Sequence, residues 1–323
     1  MPDPALGQLV ASVFEKVVGD KPTDNVFTSQ ALLNLLKGGS GFKGIDGGRV
    51  IEETLEYAEN TTFKSYSDLE TLDTTRVDVF DAARFEWKEI AGTIVISELE
   101  KARAQGSQAK FELAAAKVNN AKNTMMAVLN RQFYAVGTAN GGKDIGGLAL
   151  LVSSTPTSGT VGGIDRGSFA FWRNRQNSGA NSGTAYNQLR GAMRTTYNQC
   201  SKGAAAEHPE QIIFDQTSFE GYESTLTTNE RFTSKDSGAD GGFKNEILKF
   251  KGAKVTFDED CHSATGYVLN SRNLRFNYPN GRWMKTFPAV TPANQTAEIT
   301  KILVIGNMSV NNPRRLGVIT SIS

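Results

Sequence analysis

From Lys110 to Tyr134 the apolar residues fall at Phe111, Ala114, Val118, Ala121, Met125, Leu129 and Phe133. Steps of three and four draw one continuous stripe along a helix. At 1.5 Å per residue the helix is about 37 Å long, and its alanine-rich middle favours helix and close packing. Upstream the period drops to two. Ile51, Glu53, Leu55 and Tyr57 share one face of a strand, and Val50, Glu52, Thr54 and Glu56 share the other. A second strand-like region, Thr74 to Ile96, alternates Phe85 and Trp87 with Arg84, Glu86 and Lys88. Between these regions lies NTTFKSYSDLETLD (60–73), polar with isolated Phe63, Tyr66 and Leu69. An ordinary surface loop is the plainer account of it. A connection so long with no core of its own is unusual in a compact domain, and a long hairpin covered by another chain is the alternative.

The remaining elements are shorter. Residues 8–18 and 29–37 pattern as amphipathic helices, and GGSGFKGIDGG (38–48) breaks the chain after them, so residues 1–45 read as an arm. Past Gly147, LALLV predicts a buried strand, GTAYNQLRGAMRTTYNQC (183–200) an amphipathic helix, and QIIFD (211–215) a buried strand. TSFEGYES has helix-start chemistry, and the tail alternates strands and turns.

Composition narrows the function classes. Of 323 residues, 39% are hydrophobic and 21% charged, which places the chain among globular proteins. Lys+Arg of 35 against Asp+Glu of 34 leaves almost no net charge, whereas a protein that grips nucleic acid through phosphates carries a basic excess. Cys200 and Cys261 lack metal-site or disulfide-framework spacing and read as free thiols in a reducing compartment. The first residues do not pattern as a signal peptide, and the longest apolar runs are too short to span a bilayer, so a soluble protein made in a cytoplasm is expected.

The candidate chemistry is sparse. GTANGGKD (137–144) lies one residue from the phosphate-cradling pattern G-x-x-x-x-G-K-[ST]. That pattern needs a strand before the loop and a helix after it, so that the helix N-terminus meets the phosphates. Here a long helix precedes the loop, which places it at the negative end of the helix dipole, and Asp144 stands where a hydroxyl should hold magnesium. The segment reads instead as a bend: Gly137 closes the helix, Gly142 turns the chain and Lys143 is solvated. Asp258-Glu-Asp-Cys-His262 offers every common metal ligand, but adjacent residues on one turn do not converge on one ion, and a solvated turn is expected. The only histidines are His208 and His262, without a catalytic signature around them. Arg272, Arg275 and Arg282 alternate with Phe276, Tyr278 and Trp283; this suits single-strand stacking, or a hairpin with its aromatics inward. No enzyme, cofactor or metal is expected.

The order of elements resembles the major capsid proteins of tailed bacteriophages, which share the HK97-like fold. TLDTTRVDVFDAARFEWKEIAGTIVISELE resembles that family's extended-loop return strand entering its peripheral domain. AAAKVNNAKNTMMAVLNRQFYAVGTANGGKDIGGL resembles its spine helix and the turn into its axial domain. EILKFKGAKVTFDED with TGYVLNSRNLRF resembles axial-domain strands, and EITKILVIGNMSVNNPRRLGVIT the closing strands. The resemblance implies an α+β fold with an N-terminal arm (1–45) and an extended β-hairpin loop (46–82). A peripheral domain with the spine helix (83–146), an axial domain (147–285) and closing strands returning to the peripheral domain (286–323) follow. It implies a structural protein of the virion, assembled in the bacterial host cytoplasm into hexamers and pentamers of an icosahedral shell. The shell encloses double-stranded DNA without specific contacts, and scaffolding and portal proteins are the other implied partners, with no membrane. Phe63, Tyr66, Leu69 and Arg76 are the candidate inter-subunit contacts. Some members of the family cross-link subunits through an isopeptide bond promoted by a glutamate on the closing strand; Ile302 to Val310 carries no acid, and that chemistry is not carried over. The arm is short for a scaffolding segment, so a separate or already removed scaffold is expected. The alternatives are a nucleotide-dependent enzyme using Gly137–Lys143 and a single-strand nucleic-acid binder using Arg272–Trp283.

Overall fold

The computed structural model describes residues 30–103, 107–179, 187–203, 207–226, 248–294 and 296–322. The helix expected over 8–18 lies outside them. Leu32, Leu33, Leu35 and Leu36 form the buried face of α1 (Ala31–Gly38), after which the chain enters β1 (Phe42–Ile45). Next come β2 (Ile51–Glu56), β3 (Phe80–Phe85) and β4 (Lys88–Ser97), then α2 (Glu98–Arg103) and the long α3 (Ser107–Tyr134). The helical stripe is inward as its period predicts, with Ala114, Val118, Met125, Leu129 and Phe133 all buried. A one-turn helix α4 (Leu148–Leu151) follows. The apolar run there reads equally well as a strand, and four residues carry too little periodicity to decide; the expected strand is a helix.

The rest of the chain is β5 (Thr160–Val161), β6 (Ile164–Asp165), β7 (Arg175–Ser178), α5 (Asn187–Cys200), β8 (Gln211–Phe214) and α6 (Gln216–Ser224). It ends with β9 (Lys249–Phe250), β10 (Ala253–Phe257), β11 (Gly266–Leu269), β12 (Leu274–Pro279), β13 (Lys285–Thr286), β14 (Ala297–Val310) and β15 (Gly317–Thr320). The start of α6 is fixed by Asp215, whose carboxylate accepts from the Ser218 amide at 3.4 Å, one of the orphan donors of a helix N-terminus.

Two sheets organise these elements. In the first, β14 is central: β12, β13 and β4 all pair with it antiparallel, and β1 adds parallel to β12. The β4–β14 ladder runs from Ser97–Ala297 to Lys88–Gly306. Helix α3 packs against this sheet, in one core with α1, Phe276, Val304 and Met308. The second sheet has the order β7-β15-β11-β8-β10-β9. Helices α5 and α6 supply Leu189, Met193, Phe219 and Tyr222 to its core beside Phe214, Val255 and Ile319. Each such fully buried side chain contributes about 1.5–3 kcal/mol.

These sheets cut across the segments drawn from the sequence. Residues 42–45, counted with the arm, and 274–279, counted with the second lobe, pair inside the first sheet. Residues 317–320, expected to return to the first lobe, instead fill a central position of the second sheet. Strand partners many residues away decide this, and a local period of two says nothing about which sheet a strand joins.

Candidate assembly interface

Strands β2 and β3 form a hairpin in register from Ile51–Phe85 to Glu56–Phe80. Ile51, Glu53, Leu55, Ala83 and Phe85 face inward, as the alternation predicts. The strand expected from Thr74 begins only at Phe80. Residues 57–79 form the hairpin's loop, tied at its neck by the Tyr57 amide donating to the Val79 carbonyl (3.0 Å) and the Tyr57 hydroxyl to the Asp78 carbonyl (2.9 Å).

Beyond the neck the loop is held by its own polar groups. Asn60 Oδ1 accepts from the Thr62 amide and hydroxyl at 3.0 and 2.8 Å. The Tyr66 hydroxyl donates to the Thr62 carbonyl (3.2 Å) and accepts from the Asp73 amide (2.9 Å). The Thr75 side chain and amide hold the Asp73 carboxyl below its usual range. Of the four residues singled out, Tyr66 therefore shapes the loop, half-buried, and Arg76 pairs with Asp78 at 3.2 Å, both exposed. Phe63 and Leu69 are 85% and 98% exposed, with Leu72 and Phe80 exposed nearby.

The base of the hairpin carries what the alternation did not disclose. Glu53 lies inward, where its two carboxylate oxygens accept from Arg275 Nη1 (3.0 Å) on β12 and the Ser309 hydroxyl (2.8 Å) on β14. The amide of Asn277 donates to the same Ser309 oxygen at 2.6 Å. A glutamate at a predicted inward position was the available signal; its partners 222 and 256 residues away were not legible. At the neck of the hairpin opens a groove of about 700 Å³, lined by residues 54–59, Glu56 and Glu59 among them, by Phe171, Trp172, Arg175 and Lys202, and by the 311–315 turn.

The other sequence candidates fall elsewhere. In GTANGGKD, Gly137 (φ +81°), Gly141 (+70°) and Gly142 (+77°) are left-handed, and the segment follows the C-terminus of α3. Lys88 Nζ donates to the Gly142 carbonyl at 2.6 Å, whereas Lys143 is exposed. This is the polarity opposite to a phosphate cradle. Asp258 and Asp260 both accept from Asn130 Nδ2 of α3, at 2.9 and 2.7 Å. Asp258 is buried, so the turn expected to be solvated is in part a clamp onto the helix. Burial, reinforced by the Asp258 charge, pushes the Tyr134 phenol well above its usual range. Among the described residues no group of three His, Cys, Asp or Glu is arranged for a metal, and no helix is long and apolar enough to cross a membrane. Phe276 is buried against Phe42, Phe133 and Trp283, with Tyr278 and Trp283 also packed on Phe42. The aromatics of the Arg272–Trp283 pattern point inward, not toward a stacking ligand.

No family model matches the sequence, and a search of curated proteins finds no match. Solved structures do match. The chain superposes on the cyanophage A-1(L) capsid asymmetric unit with a TM-score of 0.67, at 16% identity, covering 94% of this chain and 96% of that one. The fold is that of the HK97-like capsid proteins. The capsid of the native GTA particle is similar over 90% of both chains (TM-score 0.60, 10% identity). The holo-SrpI encapsulin complex from Synechococcus elongatus PCC 7942 is similar over 96% of this chain and 94% of its own (TM-score 0.56, 8% identity). In this capsid fold, α3 with the five-stranded sheet and the six-stranded sheet form the body, and Ile51, Leu55, Ala83 and Phe85 of the β2–β3 hairpin pack into its core.

Proposed function

We propose that this chain is the shell subunit of a tailed-phage head, assembling as hexamers and pentamers into an icosahedral particle around double-stranded DNA. The observation that carries the reading is the hairpin loop on a capsid fold: Phe63, Leu69 and Leu72 stand in water on a segment with no core of its own. Their burial against a neighbouring subunit is worth about 1.5–3 kcal/mol per side chain. Arg76 and the hydroxyl-braced Tyr66 would frame that contact. The five-stranded sheet with α3 takes the peripheral role and the six-stranded sheet the axial one. A net charge of +1 suits a wall that encloses DNA without gripping it. Scaffolding and portal proteins would be further partners, and assembly would take place in the bacterial host cytoplasm.

Electron microscopy of the expressed chain tests the reading, with shells, tubes or hexamer rings expected. Deleting residues 60–72 should abolish these particles while changing subunit stability by under about 1 kcal/mol, because no buried side chain is removed. Normal, heat-resistant particles from the deleted chain would refute the role given to the hairpin. A persistent monomer that turns over ATP would refute the shell itself. Nuclease-protected DNA in particles from infected cells tests the enclosed cargo.

A further inference from the structure

Where α3 meets the turn between β10 and β11, buried oxygen atoms gather without a counter-charge. Asn130 Nδ2 donates to Asp258 Oδ1 at 2.9 Å and to Asp260 Oδ2 at 2.7 Å, so two carboxylates converge on one uncharged nitrogen. Among the described residues no lysine, arginine or histidine forms an ion pair with either acid. Asn130 is 2% exposed and Asp258 6%. Asn130 Oδ1 and Asp258 Oδ2, the other ends of the same two groups, are buried and have no hydrogen-bond partner. Tyr134 stands one helical turn further along α3, buried, and its hydroxyl is unpartnered too. Burial and then the Asp258 charge raise that phenol, which places it beside the same carboxylate. Buried oxygens are rarely left bare, and two like charges brought together add to the cost.

The missing partner must carry positive charge and take several oxygen ligands at once. An ordered water would satisfy hydrogen bonds but leave both carboxylates unneutralised. A hard cation does both, and carboxylate and carboxamide oxygens are the donors that calcium takes. Asp260 is half-buried and opens the spot to solvent. We propose that Asn130, Asp258 and Asp260 form a calcium site, with the Tyr134 hydroxyl at its inner wall. The 258–262 turn by itself does not surround an ion, as its sequence indicates; α3 supplies the further donor from 128 positions away. Two carboxylates place the affinity at the weak end for calcium, with a Kd of about 10⁻⁴–10⁻³ M. Because α3 packs on the five-stranded sheet while β10 and β11 belong to the six-stranded one, the ion braces one sheet against the other. The site does not depend on the shell reading.

Calcium titration of the full-length, unassembled subunit tests it, with calorimetry for binding and thermal melts for the brace. After treatment with a chelator, added calcium should bind with one site per chain and raise the melting midpoint progressively. Asp260→Asn, at the solvent side, should weaken binding by about tenfold or more and remove most of the calcium-dependent rise. In chelator the same variant should melt no lower than wild type, because one of two facing charges is gone and the amide oxygen still accepts from Asn130. A loss of stability in chelator equal to that in calcium would show a hydrogen-bonding role alone and overturn the site. Asp258→Asn provides the second reading if Asp260→Asn does not fold. No response of the wild-type chain at about 10 mM calcium, or the same response in both variants, also overturns it, the second outcome marking weak binding elsewhere on the surface.

Discussion

Glu53 carries the clearest energetic consequence of any single residue. Its side chain is 10% exposed and that of Arg275 25%. The pair therefore exchanges hydration for one ion pair plus the Ser309 hydrogen bond, and its net worth is small. Removing one partner is different, because a nearly buried carboxylate then remains without its cation. Arg275→Ala should cost about 3 kcal/mol, the low end for a buried pair because Arg275 still meets water. Ser309→Ala should cost about 1 kcal/mol. Urea unfolding of the unassembled subunit measures both, and equal losses would show that the charge is not what matters. Because Glu53 joins β2 to β12 and β14, the same change should loosen the hairpin where it leaves the body.

At the scale of elements, the turn after α3 sorts two neighbouring residues. A Cβ on Gly137 would stand 2.8 Å from the Gly146 Cα, at a φ of +81° that side chains rarely adopt. Gly137→Ala should therefore destabilise the subunit by about 1–3 kcal/mol. Lys143 is exposed and makes no such contact, so Lys143→Ala should leave melting and assembly within about 0.5 kcal/mol of wild type. Thermal melts of the two variants separate a bend from a ligand site. Elements of this kind were legible in the sequence. The long stripe of α3, the alternation of β2 and the helix-closing glycine are local signals, and local signals suffice for them. Leu148–Leu151 was misread because a single turn has no period to measure. The groove was invisible because Arg175, Lys202 and Arg314 come from three separate stretches of chain. The docking of Asp258 and Asp260 on Asn130 depends in the same way on residues 128 and 130 positions apart.

Across the whole molecule, several buried acids titrate only in alkali. Burial pushes the Cys200 thiol up to about 12, against a smaller opposing pull from Arg175 and Arg315. It raises Cys261, Tyr267 and Tyr134 as well. In the unfolded chain a thiol loses its proton near 8.5. Between about pH 8.5 and 12 the unfolded state therefore binds fewer protons than the folded one, and stability falls as pH rises, by about 1.4 kcal/mol per unit for each thiol. Melting midpoints measured from pH 8 to 10.5 should drop steeply, and Cys200→Ala should flatten the slope by one group's share. An unchanged slope would place Cys200 in contact with water.

The position of β15 has a consequence for the timing of synthesis. It sits between β7 and β11, parallel to β7 with Gly317 opposite Arg175. A ribosome that has made everything up to residue 316 has thus produced a six-stranded sheet with its second strand missing. The edges of β7 and β11 wait unpaired until residues 317–320 emerge, and such edges recruit foreign strands. The six-stranded sheet is therefore completed only once residues 317–320 have been made and have left the ribosome.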